Sequence, residues 1–488
     1  MRAAVGRWGW VWFVVAVALY APLHTAHVYH WDGAQFVLAV QEFSVRLSQP
    51  HAPGYPLYVG LGKVAAWLTG DAHRGLLWLS TLSAAGLVVL SYRLAAAWWG
   101  ARAGLAAGLW ALTSPQVWFH GAVALTYAVD ALAVTALVAV SYRAIVRGGR
   151  WSDVVLIGVM MAVVGGVRPQ SVLPLSLTMA WVFSRFQPPR IAKLVTAAGI
   201  AAVLALVWLV PTVASAGGWD AFRDIVRRHA AHNAPVTWVG GGLPALVDNV
   251  VAVGAYCWVG LLGAVVPLAV GLVSKNAGPA KSLVAAWVLP MLLAGTVVGF
   301  TSQPGYVLSY LPGLLLLAAA GARGVPVIMV GFVAALNVAV FWAPTSWTDR
   351  VRFGVPRVAE ELRRHDAQLA QTLSALRREF SPADTVLLHA GEWFTFGTRH
   401  FQVHAPEFDQ YQLIPDPTVP CPPGKAVWRI RQGRLGFAEA VEVSGYRHVV
   451  LVVPPGMAPS IFGRAQPWAE AQPVAGSGGT LYVLSRRT

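Results

Sequence analysis

Charge is scarce in this chain of 488 residues: 12% of positions are Asp, Glu, Lys or Arg, about half the usual share of a soluble domain. Together with an AVILMFWYC content of 56% and a mean hydropathy of +0.57, this excludes an ordinary soluble globule. Cysteine is nearly absent. Cys257 lies in an apolar run and Cys421 in a polar tail, so neither a disulfide scaffold nor a zinc site is expected. No internal repeat or low-complexity tract is visible. Acids are unevenly spread, eight of 21 before Thr345 and thirteen after it, which writes two compartments into one chain.

Long apolar runs fill the first compartment. A bilayer core about 30 Å thick needs roughly 20 apolar residues per helix, and about eleven candidate runs fit before Thr345: 8–23, 75–98, 103–113, 121–142, 154–167, 171–186, 191–214, 243–273, 283–300, 307–322 and 325–342. The first follows Arg2 and Arg7 and reads as a retained signal anchor, because no small-residue cleavage site follows it. Alternating these spans from a cytoplasmic N-terminus places thirteen Lys and Arg inside and seven outside, in line with the positive-inside bias. The net charge of +15 is thereby a matter of membrane topology, and no nucleic-acid partner is expected.

The expected architecture is an α-helical polytopic membrane protein of about eleven spans, residues 1–343, with a large first outer loop, 24–74. Residues 344–488 are expected to form a small extracytoplasmic α/β domain. A helix is expected over 356–379 and strands over 384–389, 448–453 and 480–484. The segment 215–242 reads as an amphipathic helix on the interface, with Trp219, Phe222, Val226 and Ala230 opposite Arg223, Arg227, Arg228 and His229, or equally as a solvated connector.

Chemistry concentrates in the first outer loop. Asp32 lies about eight residues beyond the first span, where partial desolvation would strengthen its carboxylate as a base. Its bland alternative is the N-cap of a helix over 35–45. Further on, Pro53 and Pro56 fix φ and Gly54 permits a sharp turn, which brings His51 and Tyr55 to defined places before a helix over 57–68. Asp130, inside an apolar run, needs a partner or a cavity, and Arg168, between two runs, either faces protein or snorkels to the headgroups.

An Asp soon after the first span, followed by His51-Ala52-Pro53-Gly54-Tyr55-Pro56-Leu57-Tyr58, resembles the C-type membrane glycosyltransferase superfamily, and within it the protein O-mannosyltransferase-like group that includes the DUF2723 proteins. Looser marks of the same resemblance are Ser114-Pro115 with Trp118, the pair Thr126-Tyr127, Gly166-Val167-Arg168-Pro169, and Gln303-Pro304-Gly305-Tyr306 with Leu311-Pro312. The resemblance covers roughly residues 1–342. It implies inverting transfer of a sugar from a polyprenyl-phosphate-linked donor to a hydroxyl of a protein, lipid or glycan acceptor on the outer face of the membrane.

By that resemblance Asp32 would be the catalytic base. Arg168 would meet the donor phosphate, with His51 and Tyr306 as further phosphate-binding candidates, and Tyr55 and Gln35 would position substrate. The chain departs from the pattern at Gln35 and Leu125, where many relatives carry acids, and at Ala52, where they carry proline. With those acids missing, Asp32 has only Glu42 as a carboxylate neighbour in sequence, so no metal site and no cofactor are expected, and transfer should be metal-independent. Composition rich in Ala, Val, Gly, Arg and Trp points to the cytoplasmic membrane of a high-GC bacterium. From the membrane map alone, a transporter or flippase for a lipid-linked or polar substrate is the competing reading, and a non-catalytic envelope scaffold a third.

Overall fold

The computed structural model describes residues 2–274, 278–299, 303–352, 355, 358–389, 394–412, 427–431, 434–438, 443–457 and 468–486. Lys275, Pro356 and Cys421 lie outside these residues. The chain forms two compact units: residues 1–24, 55–212 and 233–361 make the first, and 25–54, 213–232 and 362–488 the second.

Helices dominate, and the protein is a multi-pass membrane protein. Among the described residues, five helical segments are long and apolar enough to cross a bilayer: Ala72–Trp99, Tyr127–Val146, Arg190–Ala216, Trp238–Val273 and Gly278–Val297. Four shorter apolar helices, Trp8–Leu23, Trp151–Val167, Leu311–Gly321 and Val327–Trp342, correspond to further expected runs. The expected runs 103–113 and 171–186 form the helices Ala101–Thr113 and Val172–Ser184, each of 13 residues, shorter than the roughly 20 a perpendicular crossing needs. Proline explains the breaks. Pro115 begins a new helix after Ser114, and Pro169 stands between Val167 and the helix at Val172.

Small residues let these helices approach closely, the usual device where lipid offers no hydrophobic drive between helices. A Cβ added at Gly104 would stand 2.6 Å from the Ala96 methyl, so the hairpin joining Ala72–Trp99 to Ala101–Thr113 depends on that glycine. Arg190–Ala216 behaves oppositely. Only 6% of its apolar window is buried, and Val203 and Val207 point outward as they would toward lipid.

The second unit carries a seven-stranded sheet, in the order β4-β3-β2-β1-β5-β7-β6. Its strands are β1 Thr385–His389, β2 Asp409–Gln412, β3 Val427–Arg431, β4 Arg434–Ala438, β5 His448–Val452, β6 Trp468–Pro473 and β7 Leu481–Arg486. β1 pairs in parallel with both β2 and β5, and the outer pairs are antiparallel. Both faces of the central strand are covered, which is why β1 reads as an unbroken apolar run. On one face Leu387 packs with Leu369, Leu373 and Leu376 from the helix Ala359–Glu379, and with Phe401 and Val450. On the other, Val386 and Leu388 meet Tyr411, Val449 and Leu451. The three expected strands are β1, β5 and β7. Four more strands complete the sheet.

Two buried histidines make this unit acid-sensitive. Burial pushes His389 down from 6.5 to about 4 although its ring bonds the Gln410 side chain at 3.1 Å. Burial, aided by His365, His404 and His30, holds His400 well below its ordinary value. Both rings stay neutral in the folded unit at a pH where the unfolded chain takes up protons. The contribution of His389 is therefore full above about pH 6.5 and lost as pH falls from there toward about 4, and His400 acts with the same sign. His389 alone costs about 2 kcal/mol at pH 5. Hydrogen exchange at the β1 amides of the full chain, compared at pH 7 and pH 5, should show this loss, and His389→Gln should reduce it. Equal protection at both pH values would contradict the assignment.

Candidate functional site

The helix Trp31–Gln41 does not use Asp32 as its cap. His30, in extended conformation, precedes it, and its ring Nδ1 accepts the Asp32 backbone N–H at 3.1 Å. The N-cap alternative for the acid is thus corrected. Asp32 sits one residue inside the helix, where the positive end of the helix dipole favours a carboxylate. Its side chain keeps 21% of its surface exposed, enough to be reached.

Two histidines stand beside that carboxylate. Asp32 Oδ1 is 3.6 Å from His51 Nδ1, and Oδ2 is 3.8 Å from His30 Nδ1. One turn further along the helix, Gln35 is fully buried, and its Oε1 accepts from His51 Nδ1 at 2.6 Å and from the His51 backbone N–H at 3.2 Å. A carbonyl oxygen only accepts, so this bonding assigns the proton of a neutral His51 to Nδ1 and leaves its lone pair on Nε2. Gln35, expected to position substrate, stands behind His51 and orients it. The loop that carries His51 turns sharply, with Gly54 at φ 105°, a conformation that favours glycine.

The same cluster includes a residue that sequence reading left on a solvated face. His229, from the helix Trp219–Asn233, stacks on His51 with ring centroids 5.7 Å apart. Phe222 and Ile225 of that helix are buried, whereas Trp219 and Val226 are exposed. Glu42 follows the other end of the helix that begins beside Asp32, about 15 Å along the axis. The one carboxylate neighbour considered from sequence is thereby removed.

A second group forms within the first unit. Arg168 follows the helix Trp151–Val167 and is 3% exposed, so it faces protein and does not snorkel. Its guanidinium lies over the Tyr127 ring at 4.4 Å and over the Tyr306 ring at 4.1 Å, and Nη1 donates to Thr126 Oγ1 at 3.2 Å. Two aromatic faces stabilise a desolvated cation. Tyr127 in turn donates its hydroxyl to Gln303 Oε1 at 3.1 Å. Gly305 has to be glycine here, because a Cβ would collide with the Tyr127 ring. Tyr55 joins this group: its hydroxyl accepts from Gln170 Nε2 at 2.7 Å, and it interacts electrostatically with Arg168.

Three motifs far apart in sequence, Thr126-Tyr127, Arg168-Pro169 and Gln303 to Tyr306, therefore meet at one guanidinium. Arg168, Pro169, Gln303 and Tyr306 line a cavity of about 290 Å³ whose wall is mostly apolar, with Leu173, Val253, Met291 and Val298 contributing and Arg168 as its one charged residue among the described lining. Such a cavity offers a single anion-binding point beside room for hydrocarbon.

Of the residues singled out in the sequence, Asp32, His51 and Gln35 come together in the second unit, and Arg168, Tyr306 and Tyr55 in the first. His30, His229, Thr126 and Tyr127 complete the two groups. No family model matches the sequence, and no curated protein matches it either. The fold is nonetheless shared with solved structures. The crystal structure of ArnT from Cupriavidus metallidurans bound to undecaprenyl phosphate superposes with a TM-score of 0.57 at 15% identity, covering 98% of each chain. The apo structure of the same protein gives 0.58 at 14% identity, covering 99% of this chain and 98% of that one. The likeness is one of fold, over nearly the whole of both chains.

Proposed function

We propose that the protein is an inverting glycosyltransferase that moves a sugar from a polyprenyl-phosphate-linked donor to a hydroxyl acceptor, a protein, lipid or glycan, at the outer face of a bacterial cytoplasmic membrane. The observation that carries this reading is Arg168, held between two tyrosine rings as the one charge in the described wall of a largely apolar cavity. An amphiphile with a single phosphate and a long hydrocarbon chain has the matching chemistry. The fold shared with a protein whose crystal structure is bound to undecaprenyl phosphate points the same way.

Asp32 supplies the base. It takes the acceptor hydroxyl proton while that oxygen forms a bond to the anomeric carbon, and the bond from that carbon to the phosphate oxygen breaks on the opposite face. The lipid phosphate leaves with the electron pair, and its charge is met by the guanidinium. Tyr127 and Tyr306 hold Arg168 in place, and His51 stands beside Asp32. Transfer is metal-independent in this reading, which rests on the sequence: Gln35 and Leu125 stand where the family pattern carries acids.

The experiment is direct. Purified full-length protein, given polyprenyl phosphate carrying a labelled hexose or pentose together with an envelope extract, should release polyprenyl phosphate and label an acceptor, and EDTA should leave the rate unchanged. Donor binding with no bond cleavage for any sugar tried would favour transport over transfer. Loss of activity in EDTA, restored by a divalent ion, would overturn metal independence alone. Mass analysis of envelope glycans and glycoproteins from a strain lacking the protein would name the acceptor.

A further inference from the structure

Asp130 is a carboxylate buried in the helix Tyr127–Val146, 2% exposed, in a part of the chain where acids are rare. Its oxygens take up a serine. Ser171 Oγ lies 3.1 Å from Oδ1 and 3.0 Å from Oδ2. Ser171 closes the short turn Pro169–Ser171, and its backbone N–H donates to the Arg168 carbonyl at 3.0 Å. Four residues before Asp130, Thr126 accepts from the Arg168 guanidinium, and Tyr127 lies beneath it. The first turn of one helix thus grips the segment 168–171 at three points.

Asp130 also interacts electrostatically with Arg168, yet no direct ion pair joins them among the described residues. That separation has a chemical consequence. A bidentate pair would occupy the N–H groups that an anion needs. A carboxylate held one serine away fixes the turn that carries Arg168, while leaving its donors for a ligand.

We propose that Asp130 is the positioning residue for Arg168, setting the strength of lipid-phosphate binding through its hydrogen bond with Ser171. This rests on the reading of Arg168 as the phosphate-binding group. Asp130 touches no reacting atom; it acts by fixing where the guanidinium stands.

The test uses full-length protein in nanodiscs and measures binding of undecaprenyl phosphate itself. Asp130→Ala and Ser171→Ala should each weaken binding about ten-fold. Asp130→Asn, which keeps an oxygen to accept from Ser171, should recover most of that loss. In an Arg168→Ala background, Asp130→Ala should add nothing. Equal loss from Asp130→Ala with and without Arg168 overturns the proposal, and so does Asp130→Asn as damaging as Asp130→Ala. Ser171→Ala, a small change beside an intact helix, keeps the question open to an answer if Asp130→Ala fails to fold.

Amide hydrogen exchange over 168–171 supplies a ligand-free readout: it should rise in Asp130→Ala and Ser171→Ala, and unchanged protection rejects the positioning role. Binding that survives Arg168→Ala intact would instead defeat the phosphate assignment, whereas the exchange result would still decide what Asp130 does.

Discussion

Asp32→Asn is expected to lower sugar transfer by about 10²–10⁴-fold, the range that a positioned general base contributes, while undecaprenyl phosphate binds as before. The substitution keeps shape and removes basicity. The backbone N–H of residue 32 still bonds the His30 ring, and the helix start is unaffected, so a stability change under about 1 kcal/mol is expected. His51→Ala should cost less, because its ring is 3.6 Å from the carboxylate and orients the base without replacing it. The measurement is kcat with a labelled donor at saturating acceptor, beside a thermal melt of each variant. A rate within three-fold of the unsubstituted protein would remove Asp32 from the chemistry.

The bases of these assignments were unequally legible. Asp32 and the His51 to Tyr58 run stand out because their residue types are unusual in an otherwise apolar stretch and lie close together in sequence. Arg168 is visible for the same reason: a charge between apolar runs demands an explanation. What the charge does was not legible. Its two tyrosines come from 41 residues before it and 138 after it, and no local periodicity connects Tyr127, Arg168 and Tyr306.

His229 was missed through a different effect. On a helix with a strong polar face, one more polar residue carries no signal, and only the tertiary stack on His51 distinguishes it from Arg223 or Arg227. The sheet divides along similar lines. β1, β5 and β7 are apolar or alternating and were expected, whereas β2, with the sequence Asp409-Gln410-Tyr411-Gln412, becomes a strand because its buried polar side chains find tertiary surroundings that composition does not reveal. The cap at His30 follows the same rule. Asp is the commoner cap, but pairing the Trp31 N–H with the Phe394 carbonyl fixes the entry of this helix two residues earlier.

Arg168 carries the second large effect. Arg168→Lys keeps the charge and loses the planar fork, so it separates electrostatic attraction from geometry. A lysine ammonium cannot lie flat between the rings of Tyr127 and Tyr306 while presenting two parallel N–H groups to a phosphate. Removing one preorganised donor that meets developing charge costs about 10²–10³ in kcat. Arg168→Ala should reach that loss, and Arg168→Lys should recover only part of it, about ten-fold short of the parent. Tyr306→Phe is the counterpart. It keeps the ring face that stabilises the cation and should cost under ten-fold, whereas Tyr306→Ala withdraws one face and should approach the lysine variant. Because transfer places the new charge on the departing phosphate, these losses should fall mainly on kcat with a poor leaving group, and shrink when the donor phosphate is a better one. A lysine variant as active as the parent would mean that the guanidinium geometry, and with it the tyrosine clamp, has no part in the reaction.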